Sequence, residues 1–386
     1  MSPSGLAGRL QRIRAAEQIR KNAQDAEWNV ETIPKAESGL SGKLPGWNRT
    51  AEFLFERVSE EANTGWRNTF SAQLPLLFPR ERATLEEILG EPNIWSRLVF
   101  FDLETTGLSH GAGTVAFMAG LARFDGAGRT GHMRDSQPVL RIHQLLLADY
   151  PGEAAFLSRF AELAGDDPIF VSFNGKCFDS QILMTRFLMN GLRPGCMRPE
   201  ILHLDLLFPA RRLWKQELGS CRLSVIEDQI LGTGRVDDLP GSEAPDAWFE
   251  YLREGKQKRL LAIGEHNQKD CVSLVRLLYA LDTMIGEGRG RAALIRALDL
   301  RASRDYLGAR QFLEPLADTG DPIALRLLAI DTEHRIDDLE KALACAEQLG
   351  ESHRVDRIRG KMLRRGIFVP DAEAADSADT DGLFNS

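Results

Sequence analysis

Leu98-Val99-Phe100-Phe101-Asp102-Leu103-Glu104-Thr105-Thr106-Gly107-Leu108 is the stretch on which the fold turns. A short, β-rich apolar run delivers two acids and then a Thr-Thr-Gly turn. Side chains of a strand alternate between faces, so Asp102 and Glu104 share one side while Leu103 points to the other, into a core. The run itself suits a buried central strand. Two carboxylates at the end of such a strand repel each other and are poorly hydrated, so they need a cation to stay ionised. A solvated acidic turn before Gly107 is the plainer alternative, and the stretch alone leaves both open.

Downstream, Thr114–Phe124 and Pro138–Leu146 are two further apolar runs set off by glycine turns at Gly111 and Gly113 and over 126–131, the pattern of an antiparallel meander. Helical spacing over Glu153–Leu163, a short strand at Ile169–Phe173, an Asn174-Gly175 turn, a helix through Ile182, Leu183 and Phe187, and a strand at Ile201–Leu207 follow. Further helices are expected over Leu223–Leu231, Ala247–Arg253 and His266–Leu281. The order β-β-β-α-β-α-β-α predicts an α/β domain of the ribonuclease H-like type, a mixed sheet of five strands with helices on both faces.

Upstream, residues 5–22 carry Arg9, Arg12, Arg14, Arg20 and Lys21, readable as a solvated helix face, a transit peptide or a nucleic-acid arm. Residues 23–50 hold Pro34, Gly39, Gly42, Pro45 and Gly46 with little periodicity and read as a linker. Mixed apolar and charged pieces to Leu89 are expected to pack outside the domain. The expected organisation is therefore an N-terminal arm and linker over 1–94, partly helical, the ribonuclease H-like domain over 95–285, an all-α region over 286–369, and a disordered acidic tail over 370–386.

Composition narrows the function. The 386 residues are 43% hydrophobic and 27% charged, ordinary for a soluble protein, and a net charge of -8 excludes a globally basic binder while permitting a local nucleic-acid groove. The five cysteines are odd in number and form no Cys-x-x-Cys pair, which argues against a disulfide framework or zinc ribbon and for a reducing cytoplasm. No apolar stretch approaches the ~18 residues of a membrane span, so no membrane partner is expected.

Two more acidic elements stand out. Asn174-Gly175 turns the chain so that Asp179 opens the next helix, where a carboxylate suits the helix dipole or serves as a plain N-cap. His266 and Asp270 lie four apart, on one face of a helix whose Val272, Leu274, Val275 and Leu278 turn toward a core. Asp205 is a further acid that could equally cap a turn.

Together these pieces resemble the DEDD exonuclease superfamily. Phe101–Gly107 matches its first motif, Asn174, Phe178 and Asp179 its second, and His266–Leu274 its third, with a departure: the histidine stands four residues before the last Asp, where relatives carry tyrosine, rather than five. With Gly111–Phe117, His203–Leu207 and Asp238–Ser242, the chain is most similar to the YprB-type family of ribonuclease H-like proteins with a tetratricopeptide-like (TPR-like) C-terminal region, over roughly residues 95 to 350. The resemblance implies that Asp102, Glu104, Asp179 and Asp270 hold two divalent cations, Mg²⁺ or Mn²⁺, with Asp102 bridging; hard oxygen ligands suit such ions. It implies His266 as general base, and Thr105, Gly107 and Asn174 as contacts to the terminal nucleotide. The implied activity is 3′-to-5′ removal of nucleotides from single-stranded DNA or RNA, with endonucleolytic cutting left open. A non-catalytic nucleic-acid-binding module and a TPR-type adaptor on a nuclease-like scaffold are the alternatives.

Basic groups at Arg193 and Arg198, at Arg211, Arg212 and Lys215 beside Trp214, and at Lys256, Lys258 and Arg259 are either phosphate tracks or solvated faces. Near the C-terminus, Asp305–Ala309 and Asp338–Ala342 recur at an offset of 33 residues, close to the ~34-residue tetratricopeptide period. Two repeats are too few to stand alone, so this region is expected to dock on the nuclease domain or to bind a protein partner.

Overall fold

A computed structural model describes residues 44–62, 69–91, 94–107, 113–125, 139–235 and 239–368. The basic lead-in, residues 23–43 of the expected linker, Gly111, the 126–131 turn, Asp238 and the acidic tail lie outside the described residues. Contacts divide the chain into Met1–Pro45 and Gly46–Ser386, and the described strands and helices all lie in the second.

Among the described residues the sheet has seven strands: β1 Asn48–Ala51, β2 Leu54–Ala62, β3 Leu98–Thr105, β4 Ala116–Asp125, β5 Val139–Leu147, β6 Ile169–Ser172 and β7 His203–Asp205. Their spatial order is β1-β2-β5-β4-β3-β6-β7, antiparallel except for the parallel pairs β3–β6 and β6–β7. Five of these are the mixed sheet the sequence pattern predicts. The expectation of five strands is corrected by the hairpin β1–β2, which adds to the β5 edge from a segment read as linker and outer packing.

That hairpin escapes a hydrophobicity pattern because polar side chains occupy its inner positions. Glu56 is 6% exposed. It accepts from His143 at 2.8 Å and Arg159 at 3.0 Å, and these two partners hold its carboxyl below the usual range against the upward pull of burial.

The first helices are α1 Arg82–Ile88, α2 Ile94–Arg97, α3 Glu153–Ala164, α4 Asp179–Met189, α5 Leu207–Leu218, α6 Leu223–Gln229 and α7 Ala244–Glu254. They lead to α8, Lys258–Glu287, whose 30 residues run ~45 Å at 1.5 Å per residue. This helix is far longer than the His266–Leu281 pattern, and Gly288 ends it in the left-handed conformation, at φ 64°. One core joins Phe100 of β3 and Ala122 of β4 to Cys271, Val275 and Leu278 of α8. Phe101 points the opposite way, onto Phe160 at 6.0 Å and Phe170 at 5.0 Å, so β3 is buried on both faces.

Beyond α8, α9 Arg291–Ala302, α10 Tyr306–Asp318, α11 Pro322–Asp331, α12 Leu339–Gln348 and α13 Ser352–Arg364 pack in sequence. The 33-residue recurrence has a physical basis: Asp305 and Asp338 are N-caps that accept from Gly308 N at 2.8 Å and Lys341 N at 3.0 Å. Ala309 and Ala342, four residues on, are fully buried, where a larger side chain would part the helices.

Candidate active site

Asp102 and Glu104 lie on the β3 face that α8 covers, two residues apart, as strand alternation requires. Glu104 is 7% exposed. Gly120 on β4 is the register partner of Asp102, and a Cβ there would stand 2.5 Å from both Asn267 Oδ1 and Cys271 Sγ of α8. The glycine therefore lets α8 approach until Asn267 Nδ2 donates to Asp102 Oδ2 at 3.0 Å and to Asp102 O at 3.2 Å.

Asp179 is the first residue of α4, after N-cap Phe178, and this helix has no side-chain cap bond, so Asp179 is not a plain N-cap. The preceding turn depends on Asn174 at φ 66° and on Gly175, where a Cβ would meet Ser172 Oγ at 2.6 Å and Asp179 Oδ2 at 3.0 Å. Asp205 organises that turn. Its carboxylate accepts from Asn174 N at 2.8 Å, Leu207 N at 3.1 Å and Lys176 N at 3.2 Å, which makes it a satisfied structural acid. His203 is buried against Ser172 Oγ at 2.7 Å, and burial pushes its pKa down to about 3, so it stays neutral.

Asp270 completes the set from α8. Burial, then the charges of Asp270, Glu104 and Asp179, hold the Asp102 carboxyl well above the ordinary range, with Asn267 only partly opposing. Burial and the same two aspartates, Asp270 and Asp179, raise Glu104. Asp179 is pushed up to about 7 by burial and by Asp205. Burial also raises Asp270, against the pull of His266 and Arg235. Four acids from a strand and two helices thus share one poorly solvated region, the condition under which a hard cation would be bound.

Arg235, in the loop after α6, is the main group the sequence reading missed. Its Nη2 pairs with both Asp270 Oδ1 and Glu227 Oε1, and its Nη1 donates to His266 Nδ1 at 2.9 Å. Glu227, 1% exposed, also accepts from Ser273 Oγ at 2.5 Å. A guanidinium has donors only, so Nδ1 of His266 is the acceptor in this pair, and Nε2 stands 3.5 Å from Asp270 Oδ2. While Arg235 holds Nδ1, that nitrogen is not open to another donor. Gly241 of the Leu239-Pro240-Gly241-Ser242 loop closes over that ring, a Cβ there standing 3.4 Å from His266 Nε2.

Among the described residues no three His, Cys, Asp or Glu side chains are drawn into one metal-sized ligand set: Arg235 holds Asp270 and Asn267 holds Asp102. The donor chemistry nevertheless fits divalent cations, since all four acids are oxygen donors whose mutual repulsion a cation relieves. Thr105 Oγ1 donates to Gly107 O at 2.9 Å, so the hydroxyl proton is committed to the turn; Asn174 is exposed at its tip.

Several of the basic side chains are engaged by neighbouring groups. Arg198 donates to Gly195 O at 3.0 Å, Arg212 to Leu76 O at 2.9 Å and Lys215 to Gly219 O, while Arg259 pairs with Glu243 at 2.8 Å and Lys256 with Glu254 at 2.6 Å. Arg193, Arg211 and Lys258 are exposed, and Trp214 is buried in the main core rather than offered to a base.

Comparison with known proteins agrees with this architecture. The family described as the RNase_H superfamily matches residues 99–282. Over 190 residues, 49% of this chain, the sequence is 34% identical to the uncharacterized protein YprB of Bacillus subtilis (strain 168). The match spans 43% of that relative's length.

Proposed function

We propose, from the match of residues 99–282 to the ribonuclease H superfamily, that the protein is a metal-dependent 3′-to-5′ exonuclease acting on single-stranded DNA or RNA. One observation carries the reading: Asp102, Glu104, Asp179 and Asp270 come from one strand and two helices, and the charges of Asp270 and Asp179 reach both Asp102 and Glu104, whose burial already raises them. These four side chains would hold two divalent cations, Mg²⁺ or Mn²⁺. When bound, such ions polarise the phosphodiester, acidify the attacking water and steady the leaving 3′-oxygen.

The chain's own groups supply the rest. His266 takes the proton of the attacking water, which at Nδ1 requires that Arg235 first release that nitrogen. Imidazole suits this task near neutral pH. The backbone around Thr105 and Gly107, with Asn174 on the opposite turn, bounds the terminal nucleotide. The C-terminal helices act as a TPR-like region that docks on the nuclease domain and leaves a face for a protein partner. Five cysteines without a disulfide suit a cytoplasmic location.

A silent nucleic-acid-binding module is the second reading, favoured by the hold of Arg235 on both His266 and Asp270. The deciding assay uses 5′-labelled single-stranded DNA and RNA, with and without a blocked 3′ end, in Mg²⁺ or Mn²⁺. Shortening from the free 3′ end, abolished by Asp102→Ala and lowered ~10²- to 10⁴-fold by His266→Ala, is the expected result. Correctly folded wild-type protein that binds Mn²⁺ but cuts neither polymer would replace the enzyme with the binding module.

A further inference from the structure

Arg57, Gln144, Gly120 and Asp102 form one row across the sheet, each the direct register partner of the next: Arg57 with Gln144, Gln144 with Gly120, Gly120 with Asp102. Only the third position lacks a side chain, and Asn267 of α8 fills that slot. The contacts along the row are continuous. Arg57 Nε and Nη2 donate to Gln144 Oε1 at 2.8 and 2.6 Å, Gln144 Nε2 donates to Asn267 Oδ1 at 2.9 Å, and Asn267 Nδ2 donates to Asp102 Oδ2 at 3.0 Å.

The direction of this chain is fixed at its far end. A guanidinium cannot accept, so Gln144 must present its oxygen to Arg57 and its NH₂ to Asn267. Asn267 must then present its oxygen to Gln144 and its NH₂ to Asp102. Both amides are fully buried, so neither can exchange its partner for water. Arg57 is held in turn by Gly264 O and Gln268 Oε1, each at 3.0 Å, by Glu265, and by the Trp47 ring with its centroid at 5.1 Å.

We propose that Arg57, on the added hairpin and outside the 99–282 domain match, is a positioning residue of the candidate metal site. Through Gln144 and Asn267 it turns a hydrogen-bond donor toward Asp102 Oδ2, which orients that carboxylate and fixes which oxygen faces away from Asn267. The inference rests on the reading of Asp102 as a cation ligand. Hydrogen-bond partners of ligating carboxylates commonly contribute 10- to 100-fold in metal affinity or activity.

The test compares Mn²⁺ binding by titration calorimetry, exonuclease kcat and KM, and Tm for wild type, Arg57→Met, Arg57→Lys and Gln144→Glu. Gln144→Glu keeps an acceptor for Arg57 but cannot donate to Asn267 or to Gly264 O, which Gln144 Nε2 reaches at 2.7 Å, so the Asn267 amide is free to reverse. Expected are ~10-fold weaker Mn²⁺ binding and lower kcat at unchanged KM in Arg57→Met and Gln144→Glu, and partial rescue in Arg57→Lys, with Tm reading the structural cost of each change separately. Wild-type Mn²⁺ affinity in Gln144→Glu, with loss confined to Arg57→Met alongside a lower Tm, would overturn the proposal and leave Arg57 a structural residue. Wild-type protein that binds no Mn²⁺ would overturn the functional reading and this inference with it.

Discussion

Asp179 holds its proton to about pH 7 in the folded chain, against 3.8 as an ordinary aspartate. Between those values the folded state binds a proton that the unfolded state has released, so stability falls as pH rises across the window. Asparagine at 179 has no such proton. In chelator, Asp179→Asn is therefore expected to gain on wild type as pH rises from about 4 to about 7, read as a Tm difference that widens across a pH series. A constant difference would mean that Asp179 is not buried among acids. The four acids were legible in the sequence because strand alternation and helix spacing are local. Arg235 and Arg57 were not, because their partners lie 35 and 87 residues away. Gln144, a lone amide in an apolar run, was the available sign of a buried polar row.

At the level of elements, α8 delivers His266, Asn267 and Asp270 to the end of β3, and Gly120 sets how close it comes. Gly120→Ala would place a Cβ 2.5 Å from Asn267 Oδ1 and Cys271 Sγ, in a place where neither neighbour has room to retreat. Such overpacking is expected to lower stability by ~1–3 kcal/mol, measured as a shift in denaturation midpoint at constant slope. A glycine inside the apolar run Thr114–Phe124 marks this kind of close approach, so the position was readable once a helix was known to cross there. The β1–β2 hairpin was not, since Glu56 and Arg57 interrupt its pattern and are satisfied only by residues of β5, α3 and α8.

For the whole molecule, α9 joins two cores. Its Ala292 and Ile295 belong to the main core around the sheet, while Leu294 and Ala297 belong to the cluster formed with α10 and α11. The expected boundary between 285 and 286 falls just before α9, which packs on the main core and on the helices that follow. A chain ending at Glu287 is expected to be less stable than one ending at Ser303 by ~2 kcal/mol, because only the longer chain has Ala292 and Ile295 to cover the main core. Urea unfolding of the two truncations checks this, and equal midpoints would mean that α9 adds nothing to the main core.

The outermost strands of the described sheet carry one more consequence. β1 has four residues, the first three exposed, with a register break between Arg49 and Ala51, and β7 has three residues. Long, flat, apolar edges template strands of other chains. This sheet ends instead in two stubs, so self-association of partly unfolded molecules should proceed through uncovered apolar faces rather than by strand addition at the margins.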